Sequence, residues 1–294
     1  MSGREVQRAL AEAGHECALV EADDSLWERL RSGNFDVAFL ALHGRWGEDG
    51  TVQGMCELLG LPYTGSGVLA SALCFDKVMT KRVIAAEGVR TPRWVAVSRS
   101  SFDVVTEMRA AVDKLGLPMV VKPVQGGSTI GLTIARGHDD LEAAHRLAAE
   151  ESYVLCEEFI AGCEITVGVL GHNPPRALPT LEIVSHRPLY DYAAKYTKGQ
   201  SEHVIPARLP EEQRAAAQEA ALTAHQVLGC RDLSRVDVIV DESGTPWVLE
   251  VNSIPGLTEL SLLPDAARAA GIAFSELCEQ LVEAAYARGQ QPPR

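Results

Sequence analysis

The stretch RVDVIVDESGTPWVLEVNSIPG, Arg235 to Gly256, places polar side chains inside two apolar runs that are separated by DESG. Alternating valines with a Gly-containing turn between them predict an antiparallel hairpin. Side chains alternate along a strand, so Glu250 and Asn252 share one face, and Asp237 can lie opposite them on that face. Three oxygen-bearing groups in an apolar setting suit a hard cation such as Mg²⁺. The alternative is a solvated sheet edge.

The region around this hairpin, residues 157–294, predicts an α+β domain with an antiparallel sheet. Three apolar segments form a meander of strands, a long helix follows, and a last helix begins at Phe274. The segments in chain order are CEITVGVLG, RALPTLEIV, HVIPARL and the helical EEQRAAAQEAALTAHQVLG. The hairpin follows this long helix and precedes the last one.

Residues 68–156 predict a smaller α+β domain. A helix runs through SALCFDKVMTKRVIAAEG, the strand RWVAV follows, and a second helix extends to Lys114. The strands LPMVVKP and LTIAR then flank KPVQGGSTIG, a loop rich in glycine and hydroxyl groups that includes Ser128 and Thr129. Such a loop can fold its amides over phosphates, although it lacks the G-K-[ST] of a Walker A sequence. A plain hairpin turn is the alternative.

Residues 1–67 predict an α/β domain with a parallel sheet. A helix in SGREVQRALAEAG precedes the short apolar strands ECALV and FDVAFLAL, and Ser25 with Glu28 forms a capping box for a helix in SLWERL. An α/β unit normally begins with a strand, since a crossover helix needs a strand on either side. We therefore expect this domain to be missing its first strand.

Composition limits the classes of function. The net charge of −13 repels nucleic acid and anionic membranes, so neither is expected as a partner. No uninterrupted apolar run reaches the length of a membrane span, and no secretion signal is visible. The seven cysteines are scattered without C-x-x-C spacing, which indicates a reducing cytoplasm and no structural zinc.

Several further polar residues are candidates with plain alternatives. Lys77 and Lys195 supply positive charge in an acidic chain, but a lone lysine is most often at the surface. Glu157, Glu158 and Glu164 surround a strand and turn, where ordinary solvated carboxylates are the alternative. His43 follows an apolar strand in LHGRWGEDG, a position where ligands bind in open α/β sheets, and a structural histidine is the alternative.

Four blocks taken in order resemble the D-alanine-D-alanine ligases of the ATP-grasp superfamily. They are ALHGRWGEDGTVQGMCELLGLPYTGSGVLASALCFDK, VVKPVQGGSTIG, YDYAAKY and RVDVIV…LEVNSIPGLTELSLLP. The resemblance extends from Ser2 to the last helix. It implies an ATP-grasp fold with the domain boundaries given above, and ATP with two Mg²⁺ or Mn²⁺ ions as cofactors.

The resemblance also implies roles for the candidate residues. Phosphate contacts fall to Lys77, Lys122 and Lys195, and the hydroxyl loop with Ser128 and Thr129 covers the nucleotide. Adenine and ribose are held by Glu157, the backbone at Glu158 and Ile160, and Glu164. The metal ions bind Asp237, Glu250 and Asn252.

The chemistry implied is ATP-driven condensation of two D-alanines through an acyl phosphate, for peptidoglycan precursors. Arg235 and the Gly256 amide stabilise the oxyanion. Ser261 and the Leu262 backbone hold the second substrate, His43 lies beside the first, and Ser128 and Tyr196 orient the reactants. Tyr196 in AAKY favours the amide-forming type of ligase over types that make other products.

The sequence departs from the family pattern at its start, where a strand, a Gly/Ser-rich loop and a Glu for the first substrate's ammonium have no counterpart. Two hypotheses follow: a ligase whose recorded start is late or shortened, and a nucleotide-binding protein without ligase turnover. A third is an ATP-grasp ligase for another carboxylate and amine. Apolar surface and unpaired backbone left by the missing strand predict either poor solubility or a compensating homodimer contact through the first domain.

Overall fold

The computed structural model describes residues 2–98, 103–126, 131–148, 153–185, 201–259 and 261–290. Within these ranges the chain forms an N-terminal helical region, a four-stranded antiparallel sheet and a larger antiparallel sheet. Ser128, Thr129, Lys195 and Tyr196 lie outside the described residues.

The N-terminal region contains three helices, α1 (Ser2–Glu12), α2 (Leu26–Ser32) and α3 (Thr51–Leu59). The prediction of strands in ECALV and FDVAFLAL was wrong: in the described part of this region, strand pairing is limited to one parallel bridge between Ala38 and Tyr63. Both segments line a cavity of about 1190 Å³. A strand requires a neighbouring backbone along its length, and here the pairing is confined to that single bridge.

The helix start at Leu26 was predicted, but the capping box was wrong. Ser25 is the N-cap residue and makes no side-chain bond to the helix. Its hydroxyl donates to Asp23 Oδ1 over 2.6 Å instead. Local competition by a neighbouring carboxylate therefore replaces the cap that the sequence pattern indicated.

The predicted helix through SALCFDKVMTKRVIAAEG is two helices, α4 (Val68–Phe75) and α5 (Lys77–Ala86). Asp76 between them has extended backbone, and its side chain accepts a hydrogen bond from the Met79 N–H over 2.9 Å. An Asp in this role favours a new helix start over continuation of the first helix. The break makes Lys77 the first residue of α5.

The four-stranded sheet contains β1 (Trp94–Ser98), β2 (Met119–Pro123), β3 (Thr133–Ala135) and β4 (Tyr153–Glu158). The strand order is β1-β4-β2-β3, with antiparallel pairing throughout. Helices α6 (Val104–Leu115) and α7 (Leu141–Ala148) pack on this sheet, and their apolar faces share one core with the strands. A short 3₁₀ turn, His138–Asp140, precedes α7. The predicted domain boundary at 156/157 falls within β4, and the division of the chain into domains stays a prediction.

The larger sheet contains β5 (Gly162–Leu170), β6 (Arg176–Ala177), β7 (Leu181–Ser185), β8 (Ser201–Val204), β9 (Leu233–Asp241) and β10 (Pro246–Asn252). The strand order is β10-β9-β5-β7-β8, and β6 pairs with β5. The long predicted helix is α8 (Glu211–Val227), whose alanines pack against the valines of β9 in one core. Two further helices follow the hairpin, α9 (Leu262–Ala269) and α10 (Phe274–Gly289).

Candidate active site

The hairpin of β9 and β10 places the predicted metal ligands on one face. Glu250 lies directly opposite Asp237, and Asn252 lies opposite Arg235 two residues away along each strand. Residues opposite each other in an antiparallel pair share a face, as do residues two apart. The predicted hairpin and the convergence of its polar side chains are therefore both present.

A β-bulge aims these side chains. The register shifts between Val248 and Glu250, so Leu249 has no partner on β9. Strict alternation from Val248 would turn Glu250 into the core, whereas the extra residue returns Val251 to the core and leaves Glu250 partly exposed. The sequence analysis did not identify this bulge.

Asp237 is held by three neighbours. The Arg235 guanidinium donates to both carboxylate oxygens, over 2.9 Å to Oδ1 and 2.8 Å to Oδ2. Thr166 Oγ1 donates to Oδ1 over 2.8 Å, and Asn252 Nδ2 lies 3.3 Å from Oδ2. These contacts fill the usual acceptor positions of a carboxylate, so one donor has to move before Asp237 binds a cation. Arg235 thus lies in the site, as a partner of Asp237.

Two buried lysines face this hairpin. The Nζ of Lys77 donates to the Gly126 carbonyl over 2.6 Å and lies 3.9 Å from Glu250 Oε2. Burial lowers the pKa of Lys77, and Glu250 partly opposes that effect. For Lys122 on β2, burial lowers the pKa, but Glu157 and Glu250 outweigh burial, so the pKa is raised. Two of the three predicted phosphate-binding lysines therefore lie next to the hairpin's carboxylates, and the third, Lys195, lies outside the described residues.

Glu157 on β4 lies between lysines. It is 2% exposed, with Oε2 2.8 Å from Lys122 Nζ and Oε1 2.8 Å from Lys81 Nζ. Burial raises its pKa, but Lys122 and Lys81 outweigh burial, and the net shift is downward. Each carboxylate oxygen of Glu157 therefore faces the ammonium group of one lysine.

The neighbouring predicted nucleotide contacts are arranged around the end of β4. The backbone N–H of Glu158 donates to the Arg93 carbonyl over 3.0 Å, and its carboxylate accepts from Arg93 Nε over 2.6 Å. The Glu158 backbone N–H and carboxylate are therefore both bonded to Arg93. Ile160 and Glu164 are partly exposed just beyond, before and within β5.

The loop that carries His43 is tied down by Glu48. The Gly44 N–H donates to Glu48 Oε2 over 2.6 Å, and His43 Nδ1 lies 4.0 Å from Glu48 Oε1. His43 Nε2 lies 3.2 Å from Ser2 Oγ at the start of α1. Glu48 also lines a small cavity of about 20 Å³, together with Lys77, Gly126, Glu250 and Asn252.

The loop after β10 positions the remaining predicted residues. Ser261 is the N-cap residue of α9 and makes no side-chain bond to that helix, while its Oγ accepts from the Thr258 N–H over 3.1 Å. Leu262 is the first residue of α9, where backbone N–H groups have no partner within the helix. A Cβ on Gly256 would lie 3.0 Å from Ser261 Oγ, so Gly256 and Ser261 are in close approach.

The donor chemistry fits a hard divalent cation. Two carboxylates and one amide oxygen are ligands that Mg²⁺ accepts alongside water and phosphate. Across the described ranges, no group of three or more His, Cys, Asp or Glu is arranged for metal binding, so this site rests on Asp237, Glu250 and Asn252 alone.

Two charged residues near the site were not predicted from the sequence. Glu48 was an exposed-looking carboxylate in a Gly-rich loop, and Lys81 was one of several lysines in a helix. The spacing of Lys81, four residues after Lys77, places both on one face of α5 and was the available signal.

Two antiparallel sheets that meet across buried lysines and carboxylates define the ATP-grasp class of fold. The family described as "D-ala D-ala ligase N-terminus" matches residues 1–66, and "D-ala D-ala ligase C-terminus" matches residues 83–283. This chain belongs to the D-alanine-D-alanine ligase family.

Individual relatives agree with that assignment. The D-alanine-D-alanine ligase of Pelotomaculum thermopropionicum is 47% identical over 289 residues, which span 97% of this chain and 91% of the relative. A solved D-alanine-D-alanine ligase from Bacillus anthracis complexed with ATP is 34% identical, with a TM-score of 0.82, covering 98% of this chain and 91% of that one. The VanG D-Ala:D-Ser ligase from Enterococcus faecalis is 37% identical, with a TM-score of 0.76, covering 85% and 73%.

In the part of the chain that the structure describes, no helix is both long enough and apolar enough to span a bilayer.

Proposed function

We propose that this chain uses ATP to join two D-alanines into D-alanyl-D-alanine for peptidoglycan precursors, in the cytoplasm. One observation carries the proposal: Lys77 and Lys122 are buried beside Glu250 and Asp237 at the junction of the two sheets. In a chain of net charge −13, this places fixed positive charge and hard oxygen ligands together. A nucleotide triphosphate with its cation requires both.

The proposed nucleotide contacts use the charged and polar groups around β2, β4 and the start of α5. Lys77 and Lys122 would neutralise phosphate oxygens as compact point charges. Glu157 and the backbone at Glu158 and Ile160, around the end of β4, would contact adenine. Glu164 on β5 would take the ribose.

Asp237, Glu250 and Asn252 would hold Mg²⁺ or Mn²⁺, and the cation supplies charge neutralisation of the phosphates when bound. Displacement of the Arg235 guanidinium from Asp237 would free Arg235 for a developing oxyanion, together with the Gly256 amide. After this exchange Arg235 would contact the oxyanion, while Asp237 would bind the cation. Lys195, Ser128, Thr129 and Tyr196 keep the predicted roles in phosphate binding and loop closure.

The proposed ligation has two steps. A carboxylate oxygen of the first D-alanine attacks the γ-phosphorus of ATP, which breaks the bond to the β-phosphate oxygen and releases ADP. The amine nitrogen of the second D-alanine then attacks the acyl carbon, the bond from carbon to the phosphate oxygen breaks, and the nitrogen loses a proton. Ser261 and the Leu262 amide would hold the second carboxylate, since helix starts favour anions. His43 would lie beside the first substrate.

The test is an assay of the purified chain with ATP, Mg²⁺ and D-alanine, following ADP and dipeptide together. We expect stoichiometric ADP and D-alanyl-D-alanine, both abolished when EDTA is added. Nucleotide binding without dipeptide would instead establish a nucleotide-binding protein that lacks ligase turnover.

A second candidate is a ligase that joins D-alanine to another amine, because a D-Ala:D-Ser ligase is 37% identical to this chain. The same assay with D-serine as the second substrate separates the two. We expect D-alanine to be preferred, and a higher kcat/KM with D-serine would reverse the assignment. The predicted homodimer is tested by sedimentation of the same preparation.

A further inference from the structure

Lys81 is a fully buried lysine outside the predicted set of site residues. Its side chain is 0% exposed, on the face of α5 that also carries Lys77 one turn earlier. The Nζ donates to Thr91 Oγ1 over 2.6 Å and to the Pro92 carbonyl over 3.3 Å, and it lies 5.6 Å from the centre of the Trp94 ring. Lys81 is thus fixed in position and has no path to a substrate.

Lys81 reaches the nucleotide site through Glu157. One oxygen of Glu157 lies 2.8 Å from Lys81 Nζ, and the other lies 2.8 Å from Lys122 Nζ. A carboxylate bridged in this way has a fixed orientation, and its second oxygen in turn fixes Lys122. Lys81, Glu157 and Lys122 therefore form one charged unit, which we call the lysine bridge.

The charge balance of the lysine bridge depends on Lys81. Two lysines and one carboxylate leave a net charge of one positive unit, whereas Glu157 with Lys122 alone is neutral. Burial lowers the pKa of Lys81 to about 8, with Glu157 opposing that effect, so the amine stays mostly protonated at pH 7. The lysine bridge thus keeps a positive charge for a bound phosphate in an acidic chain.

We propose that Lys81 is a positioning residue for the nucleotide: it binds one oxygen of Glu157, which leaves the Lys122 charge available to phosphate. This inference rests on the proposed nucleotide site. Without Lys81, both oxygens of Glu157 compete for Lys122 and draw it away from the ligand. Lys81 therefore acts on nucleotide affinity and leaves the amino acid sites unchanged.

The test measures the Kd of Mg-ADP by calorimetry and the KM values for ATP and D-alanine in Lys81→Met. We expect the Kd and the KM for ATP to rise about tenfold, the effect of one partly screened charge, while the KM for D-alanine stays within about twofold. Arg82→Met is the matched control, since it removes the same charge from an exposed position on α5 and should leave every value unchanged. A wild-type chain that fails to bind Mg-ADP would refute the proposed function; normal wild-type binding together with an unchanged Lys81→Met would refute this inference alone.

A double variant separates charge from packing. Because Glu157 is itself a proposed adenine contact, Lys81→Met with Glu157→Gln is compared with Glu157→Gln alone. Without the Glu157 carboxylate the Lys122 charge is free in both, so we expect Lys81→Met to raise the Kd of Mg-ADP less in this background than in the wild type. An equal rise in the two backgrounds would overturn the inference. Thr91→Val keeps every charge and removes one hydrogen bond to Lys81; it should raise the Kd about threefold. If Lys81→Met does not fold, an unchanged Kd in Thr91→Val overturns the inference instead.

Discussion

Glu250 is the residue at which the lysine charges and the metal ligands meet, since its Oε2 lies 3.9 Å from Lys77 Nζ on the face shared with Asp237. Glu250→Gln keeps the shape and removes the charge. We expect Mg²⁺ to stop strengthening ADP binding and kcat to fall about a hundredfold, or about 3 kcal/mol, because a cation no longer neutralises the phosphates. Calorimetry with Mg²⁺ and with EDTA, followed by steady-state kinetics, measures both.

The control for this change is Glu242→Gln, which removes an exposed carboxylate from the turn of the same hairpin. It should leave the Mg²⁺ dependence intact. If Glu250→Gln retained the full Mg²⁺ effect, the cation would have to bind elsewhere and the role of the hairpin would be lost.

His225 gives a pH prediction. It is fully buried on α8, its Nδ1 lies 2.7 Å from Ser234 Oγ, and burial lowers its pKa from 6.5 to about 4. The unfolded chain takes up a proton as pH falls through 6.5, whereas the folded chain does not until about 4. Stability from His225 is therefore complete above pH 6.5 and is lost between 6.5 and 4.

We expect urea unfolding to show that the wild type loses about 2 kcal/mol more than His225→Gln between pH 7 and pH 4.5. The variant itself is less stable at both pH values, so the comparison is between the two slopes. Parallel slopes would mean that His225 is protonated equally in the folded and unfolded chains.

Site residues were predictable where a charged side chain interrupts a run of apolar residues. Asp237 and Glu250 stand out in sequence because valines surround them, and the structure places them opposite each other. Lys81 and Glu48 did not stand out, since a charged residue in a helix or Gly-rich loop looks solvated until tertiary packing buries or pairs it. Their partners, Glu157 and the Gly44 N–H, are set by folding rather than by local spacing.

At the scale of elements, the break between α4 and α5 sets the position of Lys77. Asp76 caps α5 through the Met79 N–H over 2.9 Å. Asp76→Ala should lower stability by about 1 kcal/mol, the usual value of an N-cap. It should also raise the KM for ATP, because Lys77 is the first helical residue and loses its fixed position. Thermal melts and initial rates measure the two effects.

Asp103→Ala is the matched control for this prediction. Asp103 caps α6 through the Thr106 N–H over 3.0 Å, on a helix that contributes no site residue. It should show the same loss of stability with an unchanged KM for ATP. If the KM for ATP changed equally in both variants, the effect of Asp76→Ala would be explained by general destabilisation and not by the position of Lys77.

Elements were predictable wherever a periodic pattern agreed with its surroundings, as in α8 and the β9–β10 hairpin. ECALV and FDVAFLAL have the composition of buried strands, yet a strand exists only when a neighbour accepts its hydrogen bonds. The bulge at Leu249 also escaped prediction, since the sequence does not show which residue is left without a partner. Both features depend on how one strand pairs with another, and the sequence of a single segment does not determine that pairing.

At the scale of the whole molecule, the resemblance in sequence predicted the ATP-grasp architecture, while the contacts that join its distant parts were visible only in the structure. One such contact joins α10, the residue just before β9 and the segment after α3. The Arg288 guanidinium contacts both carboxylate oxygens of Asp232 and donates to the Tyr63 carbonyl over 2.9 Å, and Asp232 also accepts from the Gly65 N–H over 2.8 Å. Residues more than 150 positions apart in sequence thereby share one buried carboxylate.

Arg288→Met leaves Asp232, whose side chain is 2% exposed, without its counter-charge. A buried charge that loses its partner typically destabilises a protein by about 3 kcal/mol, and we expect that loss in chemical denaturation. Arg146→Met is the control, because its pair with Glu142 is 74% and 71% exposed and should change stability by less than about 1 kcal/mol. Adding Asp232→Asn to Arg288→Met removes the unpaired charge and should restore part of the loss. A double variant as unstable as the sum of the two single variants would show that packing of the Arg288 side chain, rather than the ion pair, joins these three elements.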